Sequence, residues 1–234
     1  MKASDLRKEL QNRADTKIAA HSKRFFKTGE GDYGEGDEFL GIRVPEQRKI
    51  AKRYKALPLE EIQELLRSDY HEERLTALFV LELRFAKASD SDRKAIYEFY
   101  MKNLSHINNW DLIDSSAPKI PGAYLFDKSR EVLHTLAGSE SLWERRIAIM
   151  ATFYFIKQGD LEDTFRIADR LLKDEHDLIH KAVGWMLREA GKKDQSRLEA
   201  FLKDRYQQMP RTMLRYAIEK FPQELRQAYL RGEI

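Results

Sequence analysis

The sequence predicts an all-α protein of stacked helix pairs, and three observations carry that expectation. Apolar residues recur at helical spacing along almost the whole chain. β-Branched runs are short, so strand signals are nearly absent. Breaks fall where short helices should stop, although the 234 residues contain only 11 Gly and 6 Pro.

The elements follow in order. Leu57-Pro58 puts a proline at the expected first position of a helix. Over residues 70–87, Leu75, Leu78, Phe79 and, one turn past the polar Glu82, Phe85 mark one face, and Ile147, Met150, Phe153 and Tyr154 do the same later. Ser141-Leu142-Trp143-Glu144 reads as a capping box, Gly159-Asp160 separates two apolar runs, and Gly191 and Pro210 punctuate the last third. Helix pairs are therefore expected to begin near 45, 70, 109, 141, 176 and 211, a period of roughly 25 to 40 residues, close to that of HEAT-like arrays. Each apolar face needs a neighbour. The expected product is a single domain over residues 1–234, a superhelical HEAT-like repeat solenoid of antiparallel helix pairs whose inner helices line a concave groove suited to an elongated partner.

Composition narrows the function. The chain is long enough to bury a core without metal or disulfide help. The absence of cysteine excludes thiolate catalysis and a Cys-based zinc site, and fits a reducing compartment. Residues Met1 to Leu10 lack an apolar signal core, and no later stretch approaches the ~18 uncharged residues that a bilayer span needs. A cytoplasmic protein without membrane contact is expected. Lys and Arg number 42 against 39 Asp and Glu, for a net charge of +3; any basic surface must arise by arrangement.

Two motifs suggest chemistry and are set aside. Gly29-Glu30-Gly31-Asp32-Tyr33-Gly34 satisfies G-x-G-x-x-G, but it follows a helix-like segment, and residues 28–39 carry five acidic side chains and no Lys or Arg. Such a loop would repel a pyrophosphate; a flexible or substrate-adjacent loop is the better reading. His176-Asp177-Leu178-Ile179-His180 places two imidazoles at i and i+4, but Asp is a methylene shorter than the Glu of the zincin pattern and no third ligand follows at a recognisable spacing. No metal and no cofactor are expected.

The stretch Asn108 to Pro118 is the most informative. If Asn108 or Asn109 caps a short helix ended by Pro118, Trp110 and Asp114 lie on one face. Later, Trp143-Glu144-Arg145-Arg146 opens a strongly apolar helix, and Gly184-Trp185-Met186-Leu187-Arg188-Glu189 sets another Trp one turn from an Arg. Taken singly, these are core tryptophans beside solvated charges.

Taken in order, Trp-Asp-x-x-Asp, the Arg at the second position of Arg145-Arg146, and Gly-Trp-x-Leu-Arg-Glu resemble the AlkD family of HEAT-like-repeat DNA glycosylases. Phe39-Leu40-Gly41-Ile42 also resembles that family's Phe-Leu-Gly-Ile segment. The resemblance spans about residues 24–220. It implies that Asp114 is the catalytic carboxylate, that Trp110 and Trp185 line the site, and that Arg146 holds the DNA backbone. It further implies a monofunctional enzyme that removes cationic N3- or N7-alkylated purines from duplex DNA as a monomer, leaving the lesion stacked and needing no base-flipping pocket. A cationic purine leaves as a neutral base, so the reaction needs help for the positive sugar more than a strong acid, and a carboxylate with indole faces supplies that help. Lys27, Arg43, Arg48, Arg145, Arg188, Arg211 and Arg215 are candidate DNA contacts; residues 188–231 alone carry eleven Lys or Arg against six Asp or Glu. Two other uses of the fold stay open from the residues: a DNA-binding repeat protein without catalysis, and a protein-binding scaffold.

Overall fold

The computed structural model describes residues 1–234. Every regular element is helical, apart from one isolated bridge of extended backbone between Glu38 and Tyr70. Where the sequence offers no boundary, the chain divides into two compact units, Met1–Ser116 and Ala117–Ile234.

The first unit contains α1 (Ala3–Gln11), α2 (Thr16–Phe25), α3 (Val44–Arg53), α4 (Leu59–Leu66), α5 (His71–Phe85), α6 (Asp90–Lys102), a 3₁₀ turn at Leu104–His106, and α7 (Trp110–Ser116). Its centre is α5, which packs against α1, α3, α4, α6 and α7. From Leu75 to Leu81 every side chain of α5 is buried, so the helix has no solvent stripe in that stretch. The one-faced pattern read from Leu75, Leu78, Phe79 and Phe85 understates this. Thr76, Ala77 and Val80, on the other faces, meet neighbours too.

The second unit begins with a π-helical turn, Pro118–Gly122, and continues through α8 (Ala123–Leu125), α9 (Glu131–Leu136), α10 (Leu142–Gln158), α11 (Glu162–Arg170), α12 (Asp177–Gly191), α13 (Gln195–Lys203), α14 (Arg211–Ala217) and α15 (Gln223–Arg231). Its centre is α10, buried without a break from Arg146 to Thr152 and packed on the π turn, α9, α11 and α12. The Ser141 hydroxyl accepts the Glu144 N–H at the start of α10, and Gly159 ends it with φ of 87°, a left-handed cap that glycine adopts without a Cβ clash.

The six helices α3, α5, α7, α10, α12 and α14 each start within a residue of the place the breaks assign. Within each unit they also pack in series, α3 on α5 on α7 and α10 on α12 on α14. Gly184 shows how close the last pair comes. A Cβ there would lie 2.5 Å from the Met213 carbonyl oxygen and 2.5 Å from Tyr216 Cβ. Its place beside Trp185 is thus a packing requirement of α12 on α14. Replacing Gly184 by Ala is expected to destabilise the protein by about 1–3 kcal/mol through overpacking, read as a lower urea midpoint with an unchanged slope.

Candidate active site

The site of the first unit is built on α7, one of its shortest helices. Asn109 Oδ1 accepts the Trp110 backbone N–H at 2.8 Å and opens the helix, as the Asn-Asn pair leads one to expect. Trp110 and Asp114 then lie one turn apart, and both line a cavity of about 500 Å³ together with Arg43, Arg48 and Asp111. Phe25, 57 % exposed, is part of the lining, so solvent reaches the cavity. The far end of α7 is held from α6. The Ser116 hydroxyl donates to the Leu112 carbonyl at 2.6 Å, which leaves the Tyr100 hydroxyl to donate to Ser116 at 2.9 Å. Burial raises the Tyr100 phenol well above its usual range, and the charge of Asp114 adds in the same direction.

The base of the cavity is aromatic. The Phe26 ring stacks on Trp110 with centroids 5.2 Å apart and an interplanar angle of 17°, and Phe25 meets Trp110 edge-on at 5.9 Å. Phe26 and Phe39 also both lie 4.8 Å from the ring of His71. Phe25, Phe26 and Phe39 come from the end of α2 and the following loop, segments without helical periodicity to announce a lining role. The carboxylate and indole of α7 thus border an open cavity that these three rings help to line.

Beneath the aromatic layer lies a network that sequence reasoning missed. His71, 2 % exposed, bridges two carboxylates: Nδ1 is 3.1 Å from Asp37 and Nε2 is 2.9 Å from Asp111. Asp37 also accepts from Arg74 at 2.6 Å and from Asn109 Nδ2 at 3.0 Å. Burial on its own would lower the pKa of His71, but Asp111 and then Asp37 outweigh it and raise the value to about 9. At neutral pH the ring is thus an imidazolium that donates to both acids. Burial would raise the carboxyl of Asp37, whereas His71 and Arg74 bring it below the usual range.

The acidic Gly-rich segment is accordingly an anchor and not merely a loop. Gly31 and Gly36 adopt φ of 75° and 85° to turn the chain, and Asp37 then enters the interior. The neighbouring Phe39-Leu40-Gly41-Ile42 is fixed by Glu72, which accepts the backbone N–H groups of Leu40 (2.9 Å), Gly41 (2.8 Å) and Ile42 (3.2 Å). The signal that could have found these residues is the run His71-Glu72-Glu73-Arg74 directly before an apolar stretch. Charges on a helix buried all round must be paired inside.

The other expected residues are disposed as follows. In the first unit, Arg43 and Lys27 are exposed, and Arg48 lies 3.9 Å over the Phe79 ring and 3.6 Å from Glu82. In the second unit, Trp185 packs 5.9 Å from Phe153. Arg146 is 4 % exposed, and its Nη1 donates to the Leu178 carbonyl, which ties α10 to α12. Arg145 pairs with Asp174 at 2.6 Å and donates to the Ser139 and Glu140 carbonyls. Arg188 pairs with Glu189 and Glu219. Arg211 and Arg215 are exposed, Arg211 donating to the Leu230 carbonyl. The imidazoles of the His176-to-His180 motif serve local structure: His176 Nδ1 accepts the Leu178 N–H at 3.1 Å, and His180 Nε2 meets the Asp174 carbonyl.

The network makes a stability prediction. Asp37→Asn removes the charge of the one acid that His71 and Arg74 share, and breaking a buried pair on one side typically costs about 3–5 kcal/mol. A fall of that size in unfolding free energy is expected from denaturant titration, whereas an unchanged midpoint would show that the network contributes nothing.

Comparison with known proteins places the chain. A solved structure described as a predicted DNA alkylation repair enzyme from Enterococcus faecalis superimposes with a TM-score of 0.69 and 19 % identity, over 90 % of this chain and 97 % of that one; at that identity the likeness is one of fold. No curated protein matches the sequence. No helix is long and apolar enough to cross a membrane. The family model for DNA alkylation repair enzymes matches residues 6–221, nearly the whole length, and the chain therefore belongs to the DNA alkylation repair enzyme family.

Proposed function

We propose that the protein is a monofunctional DNA glycosylase that hydrolyses the N-glycosidic bond of cationic N3- or N7-alkylated purines in duplex DNA, acting as a monomer on a HEAT-like repeat scaffold. The observation that carries the reading is the pairing of Trp110 and Asp114 on one capped helix beside an open cavity. As the bond between C1′ and the base nitrogen lengthens, positive charge grows on the sugar. Asp114 stabilises that charge and orients the water whose oxygen bonds to C1′; the water's proton passes to the carboxylate and on to solvent, and the bonding electrons leave with the base, which becomes neutral. The indole of Trp110 adds a cation–π contribution of about 0.5–2 kcal/mol, depending on desolvation. Roles for Trp185 and Arg146 are carried over as part of the same proposal. Arg146 contributes at least by fixing α12, the helix of Trp185, through the Leu178 carbonyl.

Two outcomes are expected. Wild type releases 7-methylguanine or 3-methyladenine from alkylated duplex DNA, and Asp114→Asn abolishes release while DNA binding survives. Salt-dependent binding without any release by the wild type would leave a DNA-binding protein and end the enzyme reading. In addition, Arg211→Ala and Arg215→Ala should each weaken binding evenly across sequences and reduce the slope of log K against log salt by about 1. An unaltered slope would remove both residues from the phosphate contacts.

A further inference from the structure

His71 is not used in the reaction described above, yet it is one of the most enclosed ionisable groups of the site. Its side chain is 2 % exposed. Each ring nitrogen faces a carboxylate, Asp37 from the loop before α3 and Asp111 from α7. Its ring packs against Phe26 and Phe39, and Phe26 in turn stacks on Trp110. Its backbone N–H donates to the Glu38 carbonyl at 2.8 Å.

The other charges nearby are engaged elsewhere or act through Asp37. Arg74, on the same helix, shares Asp37. Glu72 is turned to the N–H groups of residues 40–42, Glu73 pairs with Arg7 of α1, and the Glu38 carboxylate pairs with Lys23 of α2. On the α3 side, Arg48 faces Glu82. Asp111 is the one contact through which His71 grips α7 directly, and Asn109 grips the same helix from Asp37. The second oxygen of Asp111 is buried with no hydrogen-bond partner in the chain, so His71 supplies the hydrogen bond on which that carboxylate's orientation depends.

We infer that His71, by bridging Asp37 and Asp111, is a positioning residue that fixes the start of α7 and thereby the attitude of Trp110 and Asp114. The inference rests on the proposed glycosylase reading for its kinetic consequence and on geometry alone for its structural one. Loss of the proton from His71 removes one of its two donated bonds. The sign follows from the raised pKa. A histidine that gains acid partners on folding contributes fully below about 6.5, its unfolded value, and loses that contribution as pH rises through about 9.

The test uses the full chain labelled with 5-fluorotryptophan, whose three resonances are assigned by single Trp→Phe variants. On raising pH from 7 to 10.5, the ¹⁹F resonance of Trp110 is expected to move with a midpoint near 9 in the wild type, and the transition should be absent in His71→Gln. A Trp110 resonance that stays still through that range overturns the inference, and the wild-type titration is decisive on this point even if the variant fails to fold. In base release, folded His71→Gln should show kcat lowered tenfold or more with KM for DNA little changed, whereas wild-type kcat in that variant would equally overturn it. If the wild type releases no base, the glycosylase reading fails, while the titration still decides whether His71 holds Trp110.

Discussion

Charges inside a helix that is buried on all sides need partners, and much of the first unit follows from that requirement. α5 opens with His71-Glu72-Glu73-Arg74, four polar side chains that are all buried. Water cannot solvate them, so each recruits a distant segment. His71 and Arg74 draw in Asp37, Glu72 clamps the backbone of residues 40–42, and Glu73 takes Arg7 of α1. Desolvating such groups costs several kcal/mol apiece unless paired and hydrogen-bonded. The path of residues 37–42 thus follows these charge contacts together with the burial of Phe39, Leu40 and Ile42. The same network passes through Asp111 and Asn109 to α7.

That arrangement separates holding from reacting. Trp110 and Asp114 sit on a helix of seven residues, too short to be stable by propensity. It is secured at its start by Asn109, Asp37 and His71 and at its end by Tyr100 through Ser116. In the proposed reaction, groups fixed in advance stabilise the charge on the sugar with little reorganisation as it develops. The aromatic rings of Phe26 and Phe39 serve both layers, covering the imidazolium below and backing the indole above.

Much of this was legible in the residues. Helix starts could be read because caps and breakers act locally: Asn109 before Trp110, Ser141 before α10 and Pro210 before α14 mark boundaries without tertiary information. The pairing of Trp110 with Asp114 followed from helical spacing alone. Asp37 and His71 were not legible, because a charged residue in a Gly-rich stretch or at a helix start ordinarily faces solvent, and only the unbroken burial of α5 from His71 to Leu81 forces these inward. The cavity escaped for a related reason, since Phe25, Phe26 and Phe39 line it from a helix end and a loop where side-chain direction has no period. The contact of Arg146 was not legible either, since its place in the motif says nothing of the Leu178 carbonyl to which it donates.

The claim that the buried charges exist to hold α7 can be tested residue by residue with amide hydrogen exchange on the wild type and Asp37→Asn under native conditions. A selective loss of protection in α7 and in residues 38–42 is expected, with the centre of α5 still protected. Uniform loss across the first unit, or none at all, would contradict it.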